Sequence, residues 1–414
     1  MLAFTFPGQG SQRSGMGATW ADHPSWEIVQ EASEVAGRDL AGLLLEASME
    51  TLTLTANAQL ATMLQSLVVL DAVERLGIAP SACAGHSLGE YTALVASGAI
   101  SFEDGIRMVI ARGEAMNRAA EDAPGTMAAV LGLSDDDAEA ACQRAEGDAW
   151  VANYNAPGQV VIAGTHEAVS TASKHAKEMG GRRVMPLPVS GAFHTPLMGA
   201  ARPALRKALD DARFSAPEVA VVANVDARVH DDPAQWPNLL SAQLCSPVRW
   251  RQCVEALSGL GITTLVELGP GGVLSGLARR IVPEARALSV SAPSDLDALM
   301  DALTASETRS GPEHHHRDGE HLYMTERVVV SPCAGIFRPE EAIAAPGMGL
   351  LKGTTPSGDG EVPVLEVGQL VGRVGVTDVR TPFAGAVVNW LADAGDRVHP
   401  GQPLLWITDG EAPE

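Results

Sequence analysis

The sequence predicts an α/β core built on a parallel sheet, interrupted by a small mixed insertion and followed by an all-β domain. Three observations predict it. Residues 1 to about 300 alternate short apolar runs with amphipathic helical stretches, the pattern of a parallel sheet with helices on both faces. From Glu326 the composition shifts to Val, Gly and Pro, and helix signals end. In that last stretch short segments recur, so the domain has two similar halves. The length, 414 residues, suits two or three domains.

Along the chain, Leu2–Phe6 reads as a buried strand and Asn57–Leu76 as a helix. Ser81–Ala84 is a short strand running into a helix over Leu88–Ser97. Val219–Val225 and Thr264–Leu268 are further strands. Residues 126–188 have their own rhythm. Strand Met127–Leu131 precedes a helix over Ser134–Ala145, opened by Ser-Asp-Asp-Asp. Strands Trp150–Asn153 and Gln159–Ala163 flank the turn Asn155-Ala156-Pro157-Gly158. Helix Thr165–Met179, stopped by Gly180-Gly181, leads to strand Arg183–Leu187. The order βαββαβ is that of a ferredoxin-like subdomain. The expected partition is therefore a core over 1–125 and 189–300, this subdomain over 126–188, a polar linker over 301–325 and a β domain over 326–414.

Charge excludes several functions. With 51 Asp+Glu against 29 Lys+Arg the formal charge is −22, which repels nucleic acid and anionic membranes. No apolar run reaches the ~18 residues of a membrane span. The N-terminus lacks a basic region and a long apolar run, so no signal peptide is expected. The five cysteines are widely spaced and form no CxxC pair, as in a reduced, cytoplasmic protein without a zinc site. His314-His315-His316 sits in the linker, where consecutive residues rarely build a closed metal site. No metal and no cofactor are expected.

Gly85-His86-Ser87-Leu88-Gly89 lies between a short apolar strand and a helix, the context of a nucleophile elbow and hence of an α/β-hydrolase-like core. The turn is tight, so small residues flank the serine. The Leu88 N–H lies at a helix N-terminus and can stabilise an oxyanion. The alternative is a plain strand-to-helix turn. A serine nucleophile needs a base. Of the eleven histidines, His86 would point away across the turn, and most others lie in polar segments or in the linker. His194, in Ser190-Gly191-Ala192-Phe193-His194-Thr195-Pro196, follows an apolar strand where the chain can enter a cleft. No acid stands in a fitting context as third member, but a backbone carbonyl can hold the imidazole tautomer. Phe6-Pro7-Gly8-Gln9-Gly10-Ser11-Gln12 is either an ordinary strand-to-loop turn or a loop whose N–H groups line an oxyanion hole. Arg112, among apolar residues, either snorkels or pairs with a carboxylate.

In this order, FPGQGSQ, GHSLGEYTALVASGAI, ARGEAM, GAFHTPLM, QLCSPVRW and ELGPGGVLSGL resemble malonyl-CoA:acyl carrier protein transacylases over residues 1–300. The resemblance implies that Ser87, assisted by His194, attacks the thioester of malonyl-CoA, with the Gln9 and Leu88 amides as oxyanion hole. It implies that the Gln243 carbonyl orients His194 and that Arg112 pairs with the malonyl carboxylate. Met116 and Phe193 would line the acyl pocket, the bulk of Phe193 favouring malonyl over methylmalonyl. The thiol of acyl carrier protein would then take the malonyl group, for fatty-acid or polyketide synthesis. Two other readings stay open: a serine hydrolase with the same elbow, and a scaffold acting through its β domain.

Acyl carrier proteins are acidic, so docking needs a local positive patch. Lys174, Lys177, Arg182 and Arg183 in KHAKEMGGRR offer one, or form a solvated helix face. Residues 326–409 resemble a biotinyl/lipoyl carrier domain, a barrel-sandwich of two quasi-equivalent halves, through SPCAGIF, VLEVGQLVGRVG, TPFAGAVV and DAGDRVHPGQPLLWI. The carrier lysine belongs on the hairpin between the halves. Here that segment, Val374-Gly375-Val376-Thr377-Asp378-Val379-Arg380, has no lysine, and the domain's sole lysine, Lys352, lies before it. The domain is expected to be a non-acylated docking or assembly module. Its candidate partners are other fatty-acid synthesis or carboxylase subunits, or the active-site face itself.

Overall fold

The computed structural model describes residues 1–307, 326–340 and 363–408. His314–His316, His321 and Lys352 lie outside the described residues. The chain forms two compact units, one of residues 1–100 and 105–300, the other of 101–104 with residues from 301 onward.

The first unit carries nine strands among its described residues: β1 (Leu2–Phe6), β2 (Ala82–Gly85), β3 (Thr126–Leu131), β4 (Ala149–Ala156), β5 (Gln159–Gly164), β6 (Arg183–Pro186), β7 (Ala220–Val222), β8 (Thr264–Leu268) and β9 (Arg286–Val290). Five of them make a parallel sheet of order β7-β2-β1-β8-β9. Both faces are covered, which explains why its strands read as continuous apolar runs. Trp250, Val254, Leu257, Leu274 and Leu277 pack on Ala82, Ala84, Val222 and Leu265 in one cluster. The helix Thr55–Glu74 is buried along most of its length, polar residues such as Gln59 and Gln65 included, as a helix enclosed by other elements must be.

The elbow follows from two glycines. A Cβ on Gly85 would collide with the carbonyl of Gly89, and one on Gly89 with the carbonyl of Phe6. Only glycine lets β1, β2 and the helix Gly89–Ala96 approach this closely.

The inserted strands form a separate antiparallel sheet of order β4-β5-β3-β6. Helices Asp135–Arg144 and His166–Glu178 pack on it through Ala138, Ala141, Ala172 and Ala176. Each helix starts on a hydroxyl cap: Asp137 N–H donates to Ser134 Oγ at 3.1 Å and Ala168 N–H to Thr165 Oγ1 at 3.3 Å.

Several elements differ from expectation, among them β4, which runs on through Asn155 and Ala156 of the expected turn. β7 stops at Val222 rather than Val225, because the Asn224 N–H is diverted to the Glu90 carboxylate at 3.1 Å. β9, unread in the sequence, extends the sheet beside β8. The helix Asp295–Glu307 continues past residue 301, the expected start of the linker. That helix is started by Asp295, whose Oδ2 accepts from the N–H groups of Ser291 and Ala292 at 2.8 and 2.9 Å.

The described residues of the second unit's C-terminal part are rich in strand. They form two antiparallel four-stranded sheets around Phe337, Val371, Val387, Trp390, Leu405 and Ile407. The internal repeat is structural. Ser331 Oγ donates to the Cys333 carbonyl at 2.6 Å, and Thr381 Oγ1 donates to the Phe383 carbonyl at 2.7 Å. Each motif is closed by the Gly-Gln of the other half. Gly401 N–H donates to Ser331 O, and Gly368 N–H to Thr381 O, at 2.8 and 2.7 Å. Strands Leu370–Val374 and Thr377–Arg380 form a hairpin with Gly375 and Val376 at its tip. Gly375 takes a φ of 57°, and Val376 is 99% exposed.

Candidate active site

Ser87 ends the turn after β2 with a φ of 53°, a left-handed conformation that costs a non-glycine residue about 1–2 kcal/mol. The turn is held from below by Asn224. Its Oδ1 accepts from the Ser87 N–H at 2.7 Å, and its Nδ2 donates to the Gly85 carbonyl at 2.8 Å. His194 also has a positive φ, 61°, and is buried. The two meet across 107 residues of sequence: Ser87 Oγ lies 2.7 Å from His194 Nε2.

His194 Nδ1 lies 2.8 Å from the main-chain oxygen of Gln243, at the end of the helix Trp236–Gln243. A carbonyl can only accept, so Nδ1 carries the hydrogen and Nε2 is left as an acceptor facing the Ser87 hydroxyl. Burial, and then the Arg112 charge, lower the imidazole to about 3. The ring is therefore neutral at physiological pH.

Arg112 comes from the helix Phe102–Asp122 and is fully buried. It donates to Ser87 Oγ at 3.0 Å, to Gln243 Oε1 at 2.9 Å and to Gln59 Oε1 at 2.7 Å. Its guanidinium carbon lies 5.3 Å from the centre of the Tyr91 ring. All these partners are neutral, and desolvation lowers the guanidinium pKa. A buried cation beside a serine hydroxyl, contacting no carboxylate among the described residues, can take an anionic ligand.

Leu88 is buried at the N-terminus of the Gly89–Ala96 helix, and Gln9 is half-buried in the loop after β1. Among the described residues neither N–H has an intramolecular acceptor. The loop lies against the elbow, since a Cβ on Gly8 would meet the His86 carbonyl at 2.5 Å. His86 points away from Ser87, with Nε2 2.9 Å from Asn155 Oδ1. Phe193 and Met116 are buried, and Met116 Sδ accepts from Gln59 Nε2 at 3.3 Å. Lys174, Lys177, Arg182 and Arg183 are exposed, away from these contacts, on and beside the helix His166–Glu178.

Sequence reasoning missed Gln59, Glu90 and Asn224. Glu90 is fully buried, accepting from Asn224 N–H and from the Gln243 side chain. Burial pushes its carboxyl up to about 7. The available signal was a Glu and two amides inside otherwise apolar segments.

Residues 3–292 match the acyl transferase domain family. The malonyl CoA-acyl carrier protein transacylase of Bacillus subtilis (strain 168) is 43% identical over 73% of this chain and 97% of its own length. The chain belongs to the malonyl CoA-acyl carrier protein transacylase family. A crystal structure of an acyl carrier protein S-malonyltransferase from Vibrio cholerae shares 42% identity, with a TM-score of 0.69 over 72% of this chain and 99% of that one. A second transacylase structure, PlMCAT:AntF, described as a type II PKS acyl-carrier protein in complex with its malonyl-transacylase, shares 38% identity, with a TM-score of 0.71 over 73% and 99%. The family match ends at residue 292 and leaves the C-terminal β-rich region outside it.

Proposed function

We propose that the chain moves malonyl groups from malonyl-CoA to the phosphopantetheine thiol of acyl carrier protein, for fatty-acid synthesis. The observation that carries the chemistry is the Arg112 guanidinium at the Ser87 hydroxyl, itself on the His194–Gln243 chain. The malonyl carboxylate takes the place at Arg112 that Ser87 Oγ now occupies, in bidentate fashion. Ser87 attacks the thioester carbon and its proton passes to His194 Nε2. The Gln9 and Leu88 amides hold the oxyanion, supported by their free N–H groups. The thioester C–S bond breaks, CoA leaves as the thiol with the His194 proton, and a malonyl-serine ester remains. The carrier thiol then attacks that ester, giving its proton to His194, and Ser87 leaves with it.

The substrate also helps the base. Arg112 is the second cause of the low His194 pKa, so a carboxylate that neutralises it makes the imidazolium less costly as the proton arrives. Phe193 and Met116 bound the acyl pocket in this reading, with malonyl favoured over methylmalonyl.

The docking surface for the carrier is Lys174, Lys177, Arg182 and Arg183, supported by their exposure in a chain of net charge −22. In domain terms, residues 1–125 and 189–300 form an α/β-hydrolase-like acyltransferase core, and 126–188 a ferredoxin-like subdomain, which the order β4-β5-β3-β6 supports. Residues 326–414 form a biotinyl/lipoyl-like barrel-sandwich, supported by the exchanged Gly-Gln closures. With Gly375-Val376 at the hairpin tip it carries no biotin or lipoate and serves docking or assembly, with another synthesis or carboxylase subunit as partner. Among the described residues no helix is long and apolar enough to cross a membrane. A cytoplasmic location is the reading that the free cysteines support.

The test is intact-mass measurement after malonyl-CoA and then holo carrier protein. One malonyl increment on Ser87, discharged by the carrier, is expected. Labelling that persists in Ser87→Ala overturns the mechanism. Labelling lost to water at the same rate with and without carrier favours a hydrolase.

A further inference from the structure

Gln243 touches Ser87, His194 and Arg112 at once, and its side-chain orientation follows from its neighbours. Nε2 donates to the Ser87 main-chain oxygen at 2.8 Å and to the Glu90 carboxylate, while Oε1 accepts from Arg112 at 2.9 Å. Turned over, the amide would set its NH2 against the guanidinium and its oxygen against two acceptors. The Glu90 carboxylate therefore helps fix which end of the amide faces Arg112. Glu90 in turn is held by the Asn224 N–H on its other oxygen, at 3.1 Å. Both partners of Glu90 are donors, which a carboxylate satisfies and a carboxamide cannot. Arg112 itself contacts only neutral groups among the described residues, so the carboxylate behind Gln243 is the anion that faces it from within the protein.

We propose that Glu90 is a positioning residue for acyl selectivity. Through the Gln243 amide it keeps the Arg112 guanidinium aimed at the substrate carboxylate. This rests on the reading of Arg112 as the malonyl clamp. The Gln243 main-chain oxygen holds His194 whichever way the side chain turns, whereas the side chain also holds the Ser87 carbonyl, so a turned amide slows both reactions and malonyl transfer more. Loss of the Glu90 carboxylate should therefore cost malonyl transfer more than acetyl transfer.

The experiment is Ser87 loading, measured by intact mass, with malonyl-CoA and acetyl-CoA on the full chain. Glu90→Gln should lower the malonyl-to-acetyl ratio of kcat/KM at least tenfold. Glu90→Asp keeps the carboxylate and should recover part of the ratio. A ratio in Glu90→Gln within twofold of the parent overturns the proposal, and so does an equal fall for both acyl groups, which marks a structural role. Arg112→Met in the same assay separates the two claims. If it keeps the malonyl preference, the clamp reading fails; if it loses it while Glu90→Gln does not, only the Glu90 role fails. Should Glu90→Gln not fold, the parent offers the same mismatch on protonation. Arg112, Tyr91, Asp226 and Cys253 face the Glu90 carboxyl, and burial places it near pH 7. Its malonyl-to-acetyl ratio should fall as pH goes from about 8 to about 6, and a flat ratio overturns the proposal.

Discussion

Replacing Arg112 by Met removes a buried cation and keeps most of its volume. In the free protein Arg112 makes three hydrogen bonds, to Gln59, Gln243 and Ser87, all with neutral oxygens. In the proposed malonyl complex it gains an ionic partner. Removing one member of a buried, hydrogen-bonded ion pair costs about 3–5 kcal/mol. At about 1.4 kcal/mol per tenfold, kcat/KM for malonyl-CoA should fall by about two to three and a half orders of magnitude. Acetyl-CoA has no carboxylate, and loss of the Arg112 charge raises the His194 pKa rather than lowering it, so acetyl loading should stay within about threefold. The assay is the initial rate of Ser87 acylation with each thioester. Malonyl loading within tenfold of the parent, or an equal loss for both thioesters, would refute the reasoning.

Asn224→Ala removes the acceptor for the Ser87 N–H and the donor to Gly85. Stability should fall by about 1–3 kcal/mol in urea unfolding, with kcat reduced, because the elbow loosens. Ser87→Gly should be about 1 kcal/mol more stable than Ser87→Ala, since the φ of 53° strains alanine and not glycine; equal urea midpoints would show that the turn stores no strain. His194, lowered to about 3 when folded, titrates near its ordinary 6.5 when unfolded. The unfolded chain thus binds more protons between those values, and stability is lost as pH falls through that window. His194→Leu should lose less stability than the parent between pH 6.5 and 4, followed by urea midpoints. Lys177→Glu with Arg183→Glu should slow discharge to carrier protein and leave loading from malonyl-CoA unchanged; equal effects on both halves would reject the patch.

Ser87 was legible because it sits where β2 gives way to a tight turn, and that context is local, whereas His194, in the irregular stretch after β6, stood out by elimination among the histidines and through the family resemblance. The carbonyl partner of His194 was legible only through the family resemblance, since any residue has a carbonyl and its direction depends on the end of the helix Trp236–Gln243. Glu90 and Asn224 were not legible. Glu90 follows the elbow in a helix, where a Glu ordinarily faces water, and Asn224 lies in what reads as the end of an apolar strand. Their meaning appears only when residues 134 apart meet. The same adjacency shortened β7, because a main-chain donor left the ladder for a carboxylate. The βαββαβ rhythm was readable because caps, glycine stops and periodicity changes are all local signals. β9 was not, because five residues beside a proline-containing turn carry little pattern of their own.

The reciprocal closures in the β-rich region bear on how it could have arisen and how it can be lost. Because the Ser331 turn is completed by Gly401 and the Thr381 turn by Gly368, either half alone could close its turn only by borrowing from a second molecule. Tandem fusion would turn that dimer contact into an internal one. A protease cut or frameshift late in the gene therefore does not trim an edge: it unfastens the opposite half as well, and the region should disappear in one step.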